Sequence, residues 1–146
     1  MERQFCTFYL ADLFLGIEVL KVQEVIRTQA MTRVPLAPRA VRGLINLRGQ
    51  IVTAVDLRER LGLPPLAEER HPMNVVVRTD EGAVSLLVDE IGDELETDED
   101  SYDGTPETLS APARELIRGV YKLPERLLLI LDTEKALALE AAEAGR

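Results

Sequence analysis

The stretch Val41-Arg42-Gly43-Leu44-Ile45-Asn46-Leu47-Arg48-Gly49-Gln50-Ile51-Val52-Thr53-Ala54-Val55-Asp56 recurs in weakened form 76 residues later, as Ile117-Arg118-Gly119-Val120 followed by Leu127–Leu131 and Asp132. Arg42 meets Arg118, Gly43 meets Gly119, Leu47 meets Leu123, Asp56 meets Asp132 and Leu61 meets Leu137. Further upstream the match continues at an offset of 69, where Phe8 meets Val77, Ile17 meets Leu86, Val19 meets Val88 and Val22 meets Ile91. Self-similarity at a near-constant offset marks one structural unit used twice. The two offsets differ by 7, which a longer connection in the second copy absorbs, and the acidic stretch Thr97–Gly104 is its natural place. The approximate halves are 5–65 and 73–140, read as parts of a single domain spanning 1–146.

Each copy opens with a hairpin. Phe5–Leu10 and Leu13–Ile17 flank Ala11-Asp12, and Asn74–Thr79 and Ala83–Val88 flank Asp80-Glu81-Gly82, with glycine where a bulged turn needs positive φ. Ile51–Val55 and Leu127–Leu131 are the runs expected of strands buried on both faces. Asp56 and Asp132 follow them as helix N-caps, and Glu59 stands where a capping box places its acid. Gly62 and Pro64-Pro65 end the first helix within two turns, whereas the Ala/Leu/Glu content after Asp132 predicts a longer C-terminal helix running to Ala144. Strands of five or six residues separated by turn signals predict an all-β fold of two small barrels with a short mid-chain helix. An all-β unit of about 70 residues is marginal alone, so the two must share an apolar interface. A parallel βαβ sheet is disfavoured because no crossover helix of the required length separates the early strands.

The chain has 146 residues, 46% of them apolar, and a net charge of −9, enough for a genuine core and against disorder. Residues 1–63 carry net +3 and residues 64–146 net −12, so the basic first half suits an acidic protein surface. Acidity and only 4% aromatics argue against nucleic-acid binding, although an oligonucleotide-binding small barrel stays open as an alternative. No apolar run reaches the length of a membrane helix, no signal-peptide layout opens the chain, and the single Cys6 excludes an internal disulfide, so a cytoplasmic location is expected. Catalytic parts are missing. His71 is the only histidine, no phosphate-binding or nucleophile-elbow motif occurs, and the acidic run ending at Gly104 lacks the closing glutamate of a calcium loop. Asp89 and Glu90 are neighbours along a strand end and point to different sides. No enzyme activity, metal or cofactor is therefore expected.

The segment Gly16-Ile17-Glu18-Val19-Leu20-Lys21-Val22-Gln23-Glu24-Val25, the block Asn46-Leu47-Arg48-Gly49 leading to Asp56-Leu57-Arg58, and the closing Leu127 through Leu137 together resemble the CheW-type chemotaxis coupling proteins over about residues 5–138. The resemblance implies two interlocked five-stranded barrels and a non-enzymatic adaptor. Such an adaptor joins the regulatory domain of a CheA-type histidine kinase to the hairpin tip of methyl-accepting chemoreceptors. It implies a cytoplasmic protein recruited to membrane receptor arrays, monomeric alone and ring-forming with its partners. At this length a standalone coupler is expected. Carried over by position, the receptor groove comprises Val19, Val22, Glu24, Val25, Arg48 and Ile91, with Gly43, Gly49 and Asp56 shaping turns. On their residue types alone the three valines also read as core, and Arg48 also reads as an internal partner of Asp56. The sequence departs from the family at Thr53-Ala54, at Ser85, and at the acids Glu94 and Asp103. The departures admit a paralogue that scaffolds a non-motility pathway.

Overall fold

The structure, a computed structural model, describes residues 2–67, 70–104 and 109–138. Its strands are β1 (Glu2–Leu10), β2 (Leu13–Glu18), β3 (Val22–Ile26), β4 (Val41–Leu47), β5 (Gln50–Asp56), β6 (Met73–Thr79), β7 (Gly82–Val88), β8 (Glu90–Asp98), β9 (Tyr102–Asp103), β10 (Ile117–Lys122) and β11 (Leu127–Leu131). Three short helices, α1 (Leu57–Arg60), α2 (Ala111–Leu116) and α3 (Thr133–Ala136), and two 3-10 turns, Val19–Lys21 and Glu99–Ser101, complete it. One sheet has the order β8-β1-β2-β11-β10-β9 and the other β3-β6-β7-β5-β4. The fold is all-β and doubled, as the repeat predicts.

The duplication extends to the hydrogen-bond register. Val41 pairs with Val55 and Gly43 with Ala54, and 76 residues later Ile117 pairs with Leu131 and Gly119 with Ile130. Both ladders slip at the residue before the glycine, so Arg42 and Arg118 occupy equivalent bulges. The parallel contacts match as well: Thr53 faces Val84 and Leu129 faces Leu15. Replacing every strand by its repeat equivalent turns β3-β6-β7-β5-β4 into β8-β1-β2-β11-β10, the first five strands of the other sheet. The sixth, β9, corresponds to the bridge that Thr32 makes with Leu44. This pairing explains the repeated Arg-Gly. A Cβ on Gly43 would lie 2.6 Å from the Thr32 carbonyl oxygen, and one on Gly119 would run into the Tyr102 ring.

Each sheet takes its central hairpin from the other copy. β1 and β2 lie with β8, β10 and β11, while β6 and β7 lie with β3, β4 and β5. The parallel contacts therefore need no crossover helix, because the strands that meet come from different halves. A central core draws on both sheets, with Phe8, Leu10, Leu15 and Ile17 from one and Val75, Val77, Leu86 and Val88 from the other, closed by Leu57, Leu61 and Leu116. Phe5, Phe14, Tyr121, Leu128 and Ile130 form a second cluster on the first sheet, and Ile45, Leu47, Val52 and Val76 a third on the second. The central strands are buried on both faces, while Ile51 and Leu127, at the strand starts, stay exposed.

Local expectations are met with three adjustments. Asp56 and Asp132 cap their helices by accepting from the N–H groups of Glu59 and Lys135. The reciprocal arm of a capping box does not form, because the Asp56 N–H donates to the Ala40 carbonyl at 2.7 Å and the Glu59 carboxylate faces Arg39. Helix α2 was not expected; Ser110 caps it, Pro112 sits in its first turn, and Ala113 and Leu116 enter the central core. The expected long C-terminal helix is corrected: α3 covers Thr133–Ala136 and is C-capped at Leu137, so it is as short as α1, and residues 139–144 of the expected run lie outside the described residues.

The exchange predicts that neither half folds alone, since each lacks the two strands at the centre of its sheet. Cleavage between Leu66 and Met73 should leave a two-fragment complex with native circular dichroism. The separated fragments should be unfolded and regain the native spectrum on mixing.

Candidate functional site

The Asn46-Leu47-Arg48-Gly49 block folds as a two-residue hairpin turn between β4 and β5. Arg48 has φ 53° and Gly49 φ 88°, the left-handed pair that matches the twist of the flanking strands. The Asn46 side-chain oxygen accepts from the Gly49 N–H at 2.8 Å and fixes the turn. No atom lies within 4 Å of a Cβ added to Gly49, so its glycine is required by backbone geometry rather than by space.

This turn aims Arg48 at Glu24 on β3, and the two form an ion pair. In the sheet order β3 is one edge and β4 the other, so the pair ties edge to edge and shows how strongly the sheet curls. The hydrogen bond from Arg48 holds the Glu24 carboxyl below the usual carboxylate range, helped by Gln23, and Glu24 in turn raises Arg48. Val25 is 38% exposed beside Glu24, with Leu20 and Ile51 as exposed apolar neighbours in sequence of β3 and of the turn. Val19 is half-buried in its 3-10 turn. Val22 and Ile91 are half-buried and pack against the central core from different sheets, at equivalent register positions facing Val77 and Phe8. Of the six expected groove residues, the structure joins Glu24 to Arg48; Val25 follows Glu24 on β3 and is exposed, and Ile91 stands on the other sheet.

The alternative partnership of Arg48 with Asp56 is corrected. Asp56 lies at the far end of β5 from the turn, caps α1, and pairs with Arg42 at 3.0 Å. Gly43 serves the bulge beneath Thr32.

The most buried ion pair among the described residues is one that sequence reading did not single out. Arg58 grips Asp89 with two parallel bonds, Nε to Oδ1 at 2.8 Å and Nη2 to Oδ2 at 2.5 Å. The Ala11 N–H donates to the same carboxylate at 2.8 Å. Burial alone would raise the Asp89 carboxyl; the Arg58 fork, the Ala11 N–H and the guanidinium charge outweigh it and hold it below its ordinary value. The available signal was an acid ending the apolar run Val84–Val88 together with Arg58 in the quoted motif. As expected, Asp89 and the exposed Glu90 do not act together, since Glu90 turns to Arg70.

The remaining exposed features are a basic loop and an acidic strand. Met31, Val34 and Leu36 are exposed in the 27–40 loop among Arg27, Arg33 and Arg39, and β8 presents Glu90, Asp93, Glu94, Glu96 and Asp98. Among the described residues no group of three or more His, Cys, Asp or Glu side chains is placed to hold a metal. Burial raises the Cys6 thiol, with Glu94 adding to it. No described helix is long and apolar enough to cross a membrane.

The described residues thus form a doubled β-unit with surface ion pairs such as Arg48–Glu24 and exposed apolar side chains at Leu20, Val25 and Ile51. The family model described as a CheW-like domain matches residues 4–141, and the chain belongs to that family of non-enzymatic chemotaxis adaptors. It is 31% identical over 138 residues to the chemotaxis protein CheW of Klebsiella aerogenes, covering 94% of this chain and 83% of that one. It is 31% identical over 134 residues to the chemotaxis protein CheW of Helicobacter pylori, covering 92% and 81%. Among solved structures, the scaffolding protein TtCheW from Thermoanaerobacter tengcongensis superposes with a TM-score of 0.80 at 25% identity, covering 90% of each chain.

Replacing Asp89 by Asn leaves the Arg58 charge buried without its counter-ion and should cost about 3 kcal/mol of stability at neutral pH. Because the folded carboxyl titrates below its unfolded value, its contribution is complete above the ordinary carboxylate range. It fades as pH falls through that range to the folded value. Melting temperature against pH should therefore drop less steeply on the acid side in Asp89→Asn than in the natural chain.

Proposed function

We propose that this chain couples the hairpin tip of methyl-accepting chemoreceptors to the regulatory domain of a CheA-type histidine kinase. The observation that carries the reading is the Glu24–Arg48 pair across the curled second sheet, on a chain belonging to a chemotaxis adaptor family. Receptor contact falls on Val19, Val22, Glu24, Val25 and Arg48, with Ile91 contributed by the second sheet. Apolar side chains at the curled sheet's edge suit the apolar face of a receptor helix. Arg48 offers a planar fork of donors that fixes register against carboxylates or carbonyls. The adaptor supplies geometry, not chemistry, and acts in the cytoplasm at receptor arrays, as a monomer alone and in rings with its partners. In this reading the halves 5–65 and 73–140 form one domain. Individually weak contacts gain roughly 10²–10⁴ in effective affinity when linked in an array.

A non-motility pathway is the second reading, favoured by the acids that depart from the family pattern. Glu94 is exposed on β8, and Asp103 pairs with Lys122 at 3.2 Å on the edge strand β9.

Arg48→Glu sets like charge against Glu24 and should abolish capture of a receptor-tip fragment while the melting curve stays near that of the natural chain. Val25→Asp should behave the same way. Val22→Asp should lower the melting temperature as well, because Val22 packs on the central core. Full receptor capture by folded Arg48→Glu would remove the groove assignment.

A further inference from the structure

The chain passes between the sheets at two joints related by the repeat, and the two are built differently. From β2 to β3 it passes through the 3-10 turn Val19–Lys21, which has no side-chain cap and no buried residue, and where Leu20 is 85% exposed. From β7 to β8 it passes through one residue, the buried Asp89, which the offset of 69 sets opposite Leu20.

Asp89 is fixed from every side. Its N–H donates to the Tyr9 carbonyl at 3.0 Å, and its carboxylate accepts from Ala11 in the β1–β2 turn of one sheet. It also accepts both bonds of Arg58 from α1, the helix that continues β5 of the other sheet. The third arm of Arg58, Nη1, donates to the Pro64 carbonyl at 2.6 Å and binds the segment that connects the two copies. One carboxylate thus receives donors from both sheets at the point where the chain crosses. A two-point bond between planar groups resists rotation as well as separation. A buried charge stripped of its partner is costly, so intermediate orientations are disfavoured. At the Leu20 joint, by contrast, the side-chain ties among the described residues are exposed: a 3.3 Å bond from Arg78 to the Leu20 carbonyl, and ion pairs from Arg3 and Arg118 to the flanking Glu18 at 3.4 and 3.6 Å.

We infer that Asp89 and Arg58 are positioning residues that set the angle between the two sheets, and that the Val19–Lys21 joint supplies the compliance. The inference rests on the proposed receptor site in one respect: Val19, Val22 and Ile91 border the two joints, so the sheet angle decides whether they face one partner together. A partner seated there meets a surface rigid at one joint and adaptable at the other.

The test uses the full chain with Cys6→Ser, spin-labelled at cysteines replacing the exposed Gln50 in β5 and Leu127 in β11. Electron–electron dipolar spectroscopy reads the inter-sheet distance, and a soluble chemoreceptor hairpin-tip fragment serves as the binding probe. Asp89→Asn and Arg58→Lys should broaden or shift the distance distribution at temperatures where circular dichroism stays native. If the competent orientation falls to about a tenth of the population, the apparent Kd for the tip fragment rises about tenfold. Leu20→Ala should leave the distribution as it is. Should Asp89→Asn fail to fold, Arg58→Lys decides, since it keeps the positive charge while removing the two-point geometry and the bond to the Pro64 carbonyl. An unchanged distance distribution in the folded variants overturns the inference. A broadened distribution with unchanged tip binding upholds it and removes the receptor reading instead.

Discussion

The central core is the constraint on which the rest depends, because neither half of the sequence can form it. Phe8, Leu10, Leu15 and Ile17 come from the hairpin that the first copy lends, and Val75, Val77, Leu86 and Val88 from the hairpin that the second copy returns. Each such side chain contributes about 1.5–3 kcal/mol when fully removed from water. A half left to itself would lose this core and expose the edges of its remaining strands. The exchange turns two marginal units into one cooperative fold.

Small local rules carry that architecture. The glycines after Arg42 and Arg118 let a neighbouring strand cross where no Cβ fits, so the same dipeptide recurs at the same bulge. The left-handed Arg48-Gly49 pair turns the β4–β5 hairpin tightly and lifts Arg48 to the far edge of the sheet. The second copy reaches its far side differently. Arg126, beside the β10–β11 turn, lies 3.7 Å from the Phe14 ring centroid and donates to the Tyr9 hydroxyl at 2.8 Å. The copies thus differ in the contacts made at their β4–β5 and β10–β11 turns. The core shows the same freedom: Asn74 and Ser85 bond at 2.7 Å inside one sheet, where the other has Phe5 and Gly16.

Charge divides along the same line. The basic 27–40 loop belongs to the sheet built on β3 to β5, and the acidic β8 edges the other. An edge strand lined with carboxylates resists pairing with stray strands, so its acidity has a protective use whatever else it does. The two faces offer partners opposite fields, which favours oriented encounter.

The repeat, the all-β class, the hairpins, the caps at Asp56 and Asp132 and the family were legible from residues alone, since each rests on local periodicity, turn chemistry or a quoted motif. Helix α2 escaped because its Ser110 cap and Pro112 precede only one turn of apolar spacing, too short to register as a period. From sequence Arg48 reads as a groove residue or as a partner of Asp56, and its pairing with Glu24 is not legible because sequence distance says nothing about which edge a curled sheet brings round. Arg58 and Asp89, 31 positions apart, meet only because the chain crosses between sheets at that residue. That Val22 packs on the central core while staying half-buried follows only from the exchanged strands, which no local stretch of sequence specifies. Local sequence settles which strands exist; the pairing of strands from different halves settles which side chains meet, because that pairing is held by the whole core and not by any stretch of chain within it.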